Sequence, residues 1–303
     1  MQQLLPTSLL LRSLPSLRSH SIRLRQSRIA SLVLHPKFEG TYVHIATYKM
    51  VADSGPMYTD TPLVPMATPK YLTGKDDPFT LEASKMAISH NSFIRGFNSI
   101  YQQAPRVQTD IDKSDFVEYC IAWHDCVEAH HRYEEVAFFP KVDQAAGRIG
   151  LMDGAVREHA LFHDGLAQFK TYLTEKGAKF SSTELIHIMD SFRTALDDHF
   201  RAEISMIVGL AEHSTPERPI DILAIADAAA RSQITPSLVL NIIPIFYLNM
   251  NTAEFEDGMW DGIFPSFKGI ARAFVMRTVP LWHARRWRFV SCSPEGRVKH
   301  LAV

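Results

Sequence analysis

A histidine and a glutamate with the spacing of metal ligands lie within residues 120–139, which read CIAWHDCVEAHHRYEEVAFF. His130 and Glu134 are four residues apart, so on a helix they share one face with their Cβ atoms about 6 Å apart. Imidazole nitrogens and carboxylate oxygens both bind iron, zinc and related cations. The spacing therefore predicts that a single helix offers two ligands to one metal ion.

The position of this pair on the helix supports that prediction. A stripe with alternating steps of four and three residues, the core-facing pattern of a bundled helix, runs through both residues. The stripe consists of Phe116, Cys120, Trp123, Val127, His130, Glu134 and Ala137. Because a buried carboxylate is costly unless it is paired or bound to a metal, we interpret the pair as candidate ligands.

Three further segments carry histidine at core-facing positions. His90 shares an apolar face with Met86, Phe93 and Phe97. A third stripe consists of Met152, Val156, His159, His163 and Leu166. A fourth consists of Leu185, Met189, Phe192, Leu196, His199, Glu203, Met206 and Leu210. Five histidines and two carboxylates are thus expected to point into one bundle.

Capping and breaking residues predict four helices. We expect them over about 81–103, 112–138, 151–175 and 183–212. Thr80 is the expected cap of the first helix, and Pro140 the expected stop of the second. Ser181 and Glu184 form a capping box for the fourth helix. Short connections between such helices are typical of an all-α, up-down-up-down four-helix bundle.

This set of residues resembles the hemerythrin family of histidine/glutamate cation-binding bundles. The family places one histidine on the first helix, HxxxE on the second, HxxxH on the third, and HxxxE or HxxxxD on the fourth. The matching residues are His90; His130 and Glu134; His159 and His163; His199 and Glu203. The resemblance covers about residues 80–212.

The resemblance implies two non-haem iron ions bridged by Glu134 and Glu203. By similarity, His90 and His130 would bind one iron, and the remaining three histidines the other. It also implies an open position for O2 or a related small ligand. Oxygen carriers of the family have aspartate five residues after the last histidine, whereas this chain has Glu203 four residues after His199, which is typical of the wider and functionally mixed family.

Two other interpretations of the same segments stay open. His124, His131 and Glu135 lie one step from the stripe of the second helix, as flanking residues or as groups that orient the ligands. A shift of register would make His131 and Glu135 ligands, because they have the same spacing as His130 and Glu134. A ferritin-like site would instead need two Glu-x-x-His motifs. The chain offers them at Glu128–His131 and Glu184–His187, which are not expected at the same level of the bundle.

The flanking segments differ from the bundle in composition. Residues 1–49 begin with an arginine- and serine-rich stretch without acidic residues, which predicts a mitochondrial transit peptide and a matrix location. Alternatively, translation starts at Met50 and the protein is cytoplasmic. Residues 50–79 are a proline-rich extended lead-in. Residues 213–303 contain three of the four tryptophans and are expected to be a mostly helical extension packed on the bundle, with a protein partner as an alternative role.

Composition excludes some classes of function. The region 39–270 is clearly acidic, which argues against nucleic-acid binding. The apolar run 236–250 is too short to cross a bilayer. Cys120, Cys126 and Cys292 form no metal-binding CxxC motif, and their odd number fits a reducing compartment.

The sequence is compatible with three functions. The first is a di-iron protein that binds O2 or a related ligand for oxygen or iron handling or sensing. The second is a di-iron oxidoreductase that acts on a small organic substrate, which predicts a substrate-sized cavity beside the metals. The third is an interaction module with structural metal ions.

Overall fold

Helices make up most of the described chain. The computed structural model describes residues 55–264 and 269–303. Within these ranges there is no β-strand, and the chain forms only the isolated bridges Met57–His300 and Cys292–Val298. The all-α prediction is therefore confirmed, while the predictions for residues 1–49 lie outside the described residues.

Four long helices form the bundle, and two short helices accompany them. In chain order the six helices are α1 (Pro69–Thr73), α2 (Pro78–Gln103), α3 (Asp110–Tyr133), α4 (Phe139–Ala146), α5 (Asp153–Lys176) and α6 (Ser182–Gly209). Helix α6 packs along both α5 and α2, and α3 packs against α5 and α2. Each long helix thus neighbours those before and after it in the chain, which is the predicted up-down-up-down arrangement.

The helix starts follow the expected capping chemistry with one change. Helix α2 begins at Pro78 and is capped by Asp77, whose carboxylate accepts hydrogen bonds from the Thr80 N–H at 2.9 Å and the Thr80 hydroxyl at 2.6 Å. Thr80 therefore lies inside the helix rather than at its cap. Proline at the first helical position explains the earlier start, because its φ is already helical and its missing N–H is not needed there. Ser181 caps α6 by accepting from the Glu184 N–H at 3.4 Å.

The second long helix does not stop at Pro140. After α3 the chain makes a π-helical turn over Glu134–Phe138, in which the Phe139 N–H donates to the Glu134 carbonyl, and then continues as α4. Pro140 lies in the first turn of α4, where its missing N–H costs little. The helical path ends instead at Gly147, which has a φ of 63°.

Two glycines set how closely the helices approach. A Cβ atom on Gly165 of α5 would lie 2.6 Å from the Cβ of Phe192 on α6. One on Gly96 of α2 would lie 2.4 Å from the Trp123 ring of α3, whose Nε1–H donates to the Phe93 carbonyl at 3.0 Å. Close approach at both points brings the core stripes of neighbouring helices into contact.

The lead-in before α1 is attached to α2 by two buried asparagines. The Asn98 amide accepts from the Leu63 N–H at 2.9 Å and donates to the Leu63 carbonyl at 2.7 Å. Asn91 makes the same pair of bonds to Met66, both at 2.8 Å. The two asparagines are seven residues apart, or two helical turns, so they hold the extended segment along one face of α2.

The chain after the bundle continues in short helical pieces. These are α7 (Ile222–Ser232), α8 (Pro236–Asn241), α9 (Ile243–Tyr247), α10 (Gly269–Ala273) and α11 (Ala284–Trp287). Counting the bundle as well, short 3-10 turns lie at Gly177–Lys179, Leu210–His213, Phe255–Gly258 and Val279–Leu281. A second π turn lies at Phe274–Thr278. No described helix is long and apolar enough to cross a membrane.

The extension shares the core of the bundle. Ile222 and Ala226 of α7, Ile245 of α9 and Phe289 are buried in the same apolar cluster as the bundle stripes. The Phe289 carbonyl also accepts a hydrogen bond at 2.9 Å from the buried side chain of Gln103. Helix α7 packs against α2 and the first π turn, and α9 packs against α2 and α3.

We expect Asn98→Ala to lower the free energy of unfolding by about 2–4 kcal/mol, because it leaves the buried N–H and carbonyl of Leu63 without partners. The exposed amide Gln168 provides the control, since Gln168→Ala should change stability by less than about 0.5 kcal/mol. Urea unfolding followed by circular dichroism measures both. Equal effects of the two substitutions would contradict the role of Asn98 in holding the lead-in.

Candidate metal centre

Seven different residues form two overlapping groups of metal-ligand type inside the bundle. One group is His131, Glu134, His159 and His199, and the other is His90, His130, Glu134 and Glu203. Within each group the ligand atoms all lie within 4.8 Å of one another. Glu134 belongs to both groups, so its carboxylate lies between them.

Helix geometry explains why Glu134 reaches both groups. It follows His130 by four residues and His131 by three, and both spacings place side chains on adjoining parts of one helix face. Its Oε1 lies 2.8 Å from His130 Nε2, and its Oε2 lies 3.5 Å from His159 Nε2. One carboxylate oxygen therefore faces each group, which is the arrangement of a bridging ligand.

The second group brings α2, α3 and α6 together at one level. His90 Nε2 lies 3.1 Å from His130 Nε2 and 3.2 Å from Glu203 Oε2. His90 and Glu203 are completely buried. His90 therefore lies at the same level of the bundle as His130.

Three of the histidines are oriented through their outer ring nitrogens. The Nδ1–H of His90 donates to the Phe200 carbonyl at 3.0 Å. The Nδ1 of His159 lies 2.6 Å from Glu135, and that of His199 lies 3.2 Å from Glu158. With the proton on Nδ1, each ring presents the lone pair of Nε2 to the centre. Such outer partners are typical of metal-binding histidines.

The atoms that face the centre have no hydrogen-bond partners. These atoms are Nε2 of His131, His159 and His199, and both carboxylate oxygens of Glu134 and Glu203. Buried polar groups are nearly always hydrogen-bonded, and leaving one unpaired costs about 1–3 kcal/mol. An assembly of lone pairs and carboxylates without donors fits a bound cation, and the nitrogen and oxygen ligands suit iron, manganese or zinc.

Burial and neighbouring charges shift the pKa values of these groups in different directions. For His159 the effect of burial is outweighed by the contacts with Glu134 and Glu135, which raise its pKa. Burial lowers the pKa of His131 well below its usual range and that of His199 to about 2, which keeps both rings neutral. Burial opposes the ionisation of Glu134, but His130 and its neighbours outweigh this effect and hold the pKa of Glu134 well below its usual range. Burial and the nearby Glu134 raise the pKa of Glu203. Neutral imidazoles beside an ionised carboxylate are ready to bind a metal.

One predicted ligand lies apart from the centre. His163 belongs to neither group, and its side chain is 65% exposed. The buried stripe of α5 is Ala155, His159, Phe162, Leu166, Phe169 and Leu173. This stripe passes through Phe162. His163 is the next residue, so its side chain points away from the core of the bundle. The sequence prediction followed the alternative phase through Val156, which is 39% exposed.

His131 belongs to the group in which His163 was expected as a ligand. Its ring lies 4.4 Å from that of His159 and 5.1 Å from that of Phe162, measured between centroids. The signal was present in the sequence, because Glu134 is correctly spaced from both His130 and His131. Glu135 acts as an orienting partner of His159, as one of the sequence interpretations allowed. His187 of the ferritin-like alternative is exposed.

A large cavity adjoins one side of the centre. It has a volume of about 1190 Å³ and is formed by α2, α3 and the helices α7, α8 and α9 of the extension. His130 lines this cavity together with Phe93 and Tyr133. Among the ligand-type residues of the two groups, His130 alone lines it.

The fold and the centre define a cation-binding helical bundle with a histidine and glutamate ligand set. Residues 83–211 match the model of the Hemerythrin HHE cation binding domain. The chain is also 29% identical to the "Dimeric xanthone biosynthesis cluster protein R11" of Cryptosporiopsis sp. (strain 8999), over 72% of this chain and 81% of the relative. No solved structure matches the chain.

We expect Glu134→Ala to remove most of the bound metal, because both groups lose the carboxylate that they share. Metal bound by native ligands stabilises the folded chain, so the thermal stability gained on adding metal should also disappear. Elemental analysis and thermal unfolding with and without metal measure these effects. Full metal content and an undiminished stability gain would show that Glu134 is not a shared ligand.

His131 and His163 allow a matched test of the two phases of the ligand stripe. We expect His131→Ala to lower the number of bound metal ions by about one per chain, because one group loses a ligand. His163→Ala should leave the metal content unchanged. Elemental analysis of the two purified variants decides between the residues, and the reverse result would favour the family spacing over the present geometry.

Proposed function

We propose that this protein binds two iron ions and uses O2 to oxidise a small organic substrate. The observation that carries the proposal is the cavity of about 1190 Å³, which is lined by His130 of the metal centre. Pockets for small organic ligands have volumes of about 300–1,000 Å³, so this cavity is large enough to hold such a substrate. A protein that only stores iron or binds O2 has no need of such a space.

The side chains around His130 favour an apolar and largely aromatic substrate. The Phe93 ring lies 4.8 Å from the His130 ring, and the Tyr133 ring stacks on it with centroids 6.2 Å apart. These rings restrict the orientation of His130 and place aromatic surface beside it. Met86 and Phe246 extend the apolar wall. A flat ring system would be desolvated against these side chains.

When bound, the two iron ions would transfer electrons from the substrate to O2. The residues of the chain supply the ligands, the orientation of the histidines and the cavity beside them. A two-electron oxidation, in which the substrate loses two hydrogen atoms and O2 becomes hydrogen peroxide, balances without a further reductant. Glu134 and Glu203 provide the negative charge that holds the cations in place.

The relative from Cryptosporiopsis sp. agrees with such a substrate. Its name places it in a cluster for the biosynthesis of a dimeric xanthone, and xanthones are three-ring aromatic compounds. The alignment includes more of this chain than the family-matched residues 83–211, so the similarity is not confined to the metal-binding domain. A role in the oxidation of an aromatic intermediate is therefore our proposal for this chain as well.

The oxidation of 9-fluorenol to 9-fluorenone tests the proposal, because this three-ring alcohol loses two hydrogen atoms in the reaction. We expect the iron-loaded chain to consume O2 and release fluorenone and hydrogen peroxide in equal amounts. Ala230→Trp should fill the mouth of the cavity and lower kcat/KM by about tenfold or more, as expected when substrate binding is blocked. An oxygen electrode, chromatography and a peroxide assay measure the reaction.

Two variants act as controls for this experiment. Ala167 is exposed on α5 away from the cavity, so Ala167→Trp should retain full activity. Glu134→Ala should have none. Reversible uptake of O2 without product or peroxide would overturn the proposal and favour oxygen binding or sensing. Metal ions that show no response to O2 would favour a structural role.

A further inference from the structure

We propose that Glu82 and Lys85 form the distal end of the substrate site and bind a hydroxyl group of an elongated aromatic substrate. This inference rests on the proposed function, because it concerns the same cavity as the substrate site. Both residues line that cavity on α2, and neither belongs to the metal centre. They would select substrates by a polar group far from the position that is oxidised.

The burial of Glu82 points to a role beyond a surface ion pair. The residue is only 6% exposed, and Lys85 Nζ lies 3.3 Å from its Oε2. Burial raises the pKa of Glu82, and Lys85 opposes that effect. An ion pair with a partly exposed lysine one turn away contributes little stability. A carboxylate buried at this cost on the wall of a cavity has the character of a ligand-binding group.

The pair can recognise a hydroxyl group from both sides. The carboxylate of Glu82 accepts a hydrogen bond from an O–H group, and the ammonium of Lys85 donates to the oxygen or to a neighbouring carbonyl. Hydrogen bonds to charged groups inside a cavity are stronger than those in water. An apolar analogue without the hydroxyl would cover Glu82 and leave it with Lys85 as its partner but without the additional hydrogen bond.

The distance along α2 sets the length of the substrate. Glu82 and His90 are eight residues apart, which corresponds to about 12 Å along the helix axis. Met86 and Phe93 line the cavity between and beyond these levels, so the path from Glu82 to His130 has an apolar wall. Three fused rings with a terminal hydroxyl have the length to contact both ends, whereas a single ring does not.

Binding of two matched probes tests the inference without requiring turnover. The probes are 2-hydroxyfluorenone and 9-fluorenone, which differ only by the hydroxyl group, and the protein is the full iron-loaded chain under anaerobic conditions. We expect the chain to bind the hydroxylated probe about tenfold more tightly or better, as expected for a hydrogen bond to a charged group. Phenol, which has a single ring, should bind far more weakly. Isothermal titration calorimetry measures all three affinities.

Substitutions assign the preference to Glu82. Glu82→Leu should abolish the preference for 2-hydroxyfluorenone while 9-fluorenone binds as before, and Glu82→Gln should reduce it with little change of shape. The exposed Glu175 of α5 is the control, and Glu175→Leu should keep the preference. Metal content is measured for each variant to show that the centre is intact.

The outcomes separate this inference from the proposed function. Equal affinities for the two fluorenones, a preference that survives Glu82→Leu, or no binding of either probe would overturn the inference. If the hydroxyl preference depends on Glu82 but 9-fluorenol is never oxidised, the binding site is correct and the proposed reaction is wrong. If oxidation occurs without any role of Glu82, only the inference about substrate recognition is wrong.

Discussion

The buried charge of Glu134 is the constraint on which the centre of this bundle depends. Its side chain is fully buried, and its two oxygens face the imidazole nitrogens of His130 and His159. A carboxylate in that position needs a cation, and five histidines contribute imidazole groups around Glu134 and Glu203. The four long helices must therefore be held at one relative height, because a shift of a single turn along any of them would remove its ligands from the centre.

The fold meets this requirement through contacts on either side of the ligands. Gly96 and Gly165 permit close contact between helices, while Asn91 and Asn98 attach the lead-in to the outside of α2. Carbonyl and carboxylate groups beyond the histidines then fix the rings. Because those outer carboxylates come from residues such as Glu135 and Glu158, which are themselves partly exposed, their charge is screened and adds little to the repulsion within the core.

Most of the bundle could be predicted from the sequence, because the four-three stripe and the caps are local signals. Every residue of the predicted stripe from Phe116 to Ala137 is buried except His130, which is partly exposed, but the stripe omits the buried His131. Ser181 was the correct cap of α6. The predicted buried face of α5 was wrong, because two stripes that differ by one residue both contain His159. Phe169 and Leu173 extend the stripe through Phe162, so a longer window favours that phase. The π turn after Tyr133 carries no comparable signal, because tertiary packing decides how the chain passes from α3 into α4.

The cavity could not be predicted from any motif, because it arises where the extension fails to fill the space beside the bundle. Helix α7 packs against α2, and α9 packs against α2 and α3. The short α8 and its turns connect α7 to α9. Closer packing there would bury more apolar surface and would stabilise the fold. The extension instead leaves an open volume against the one ligand, His130, that reaches the cavity wall. The open volume costs the fold some stability, and it lies beside a ligand of the metal centre. For this reason we connect the extension with the chemistry of the centre rather than with support of the bundle.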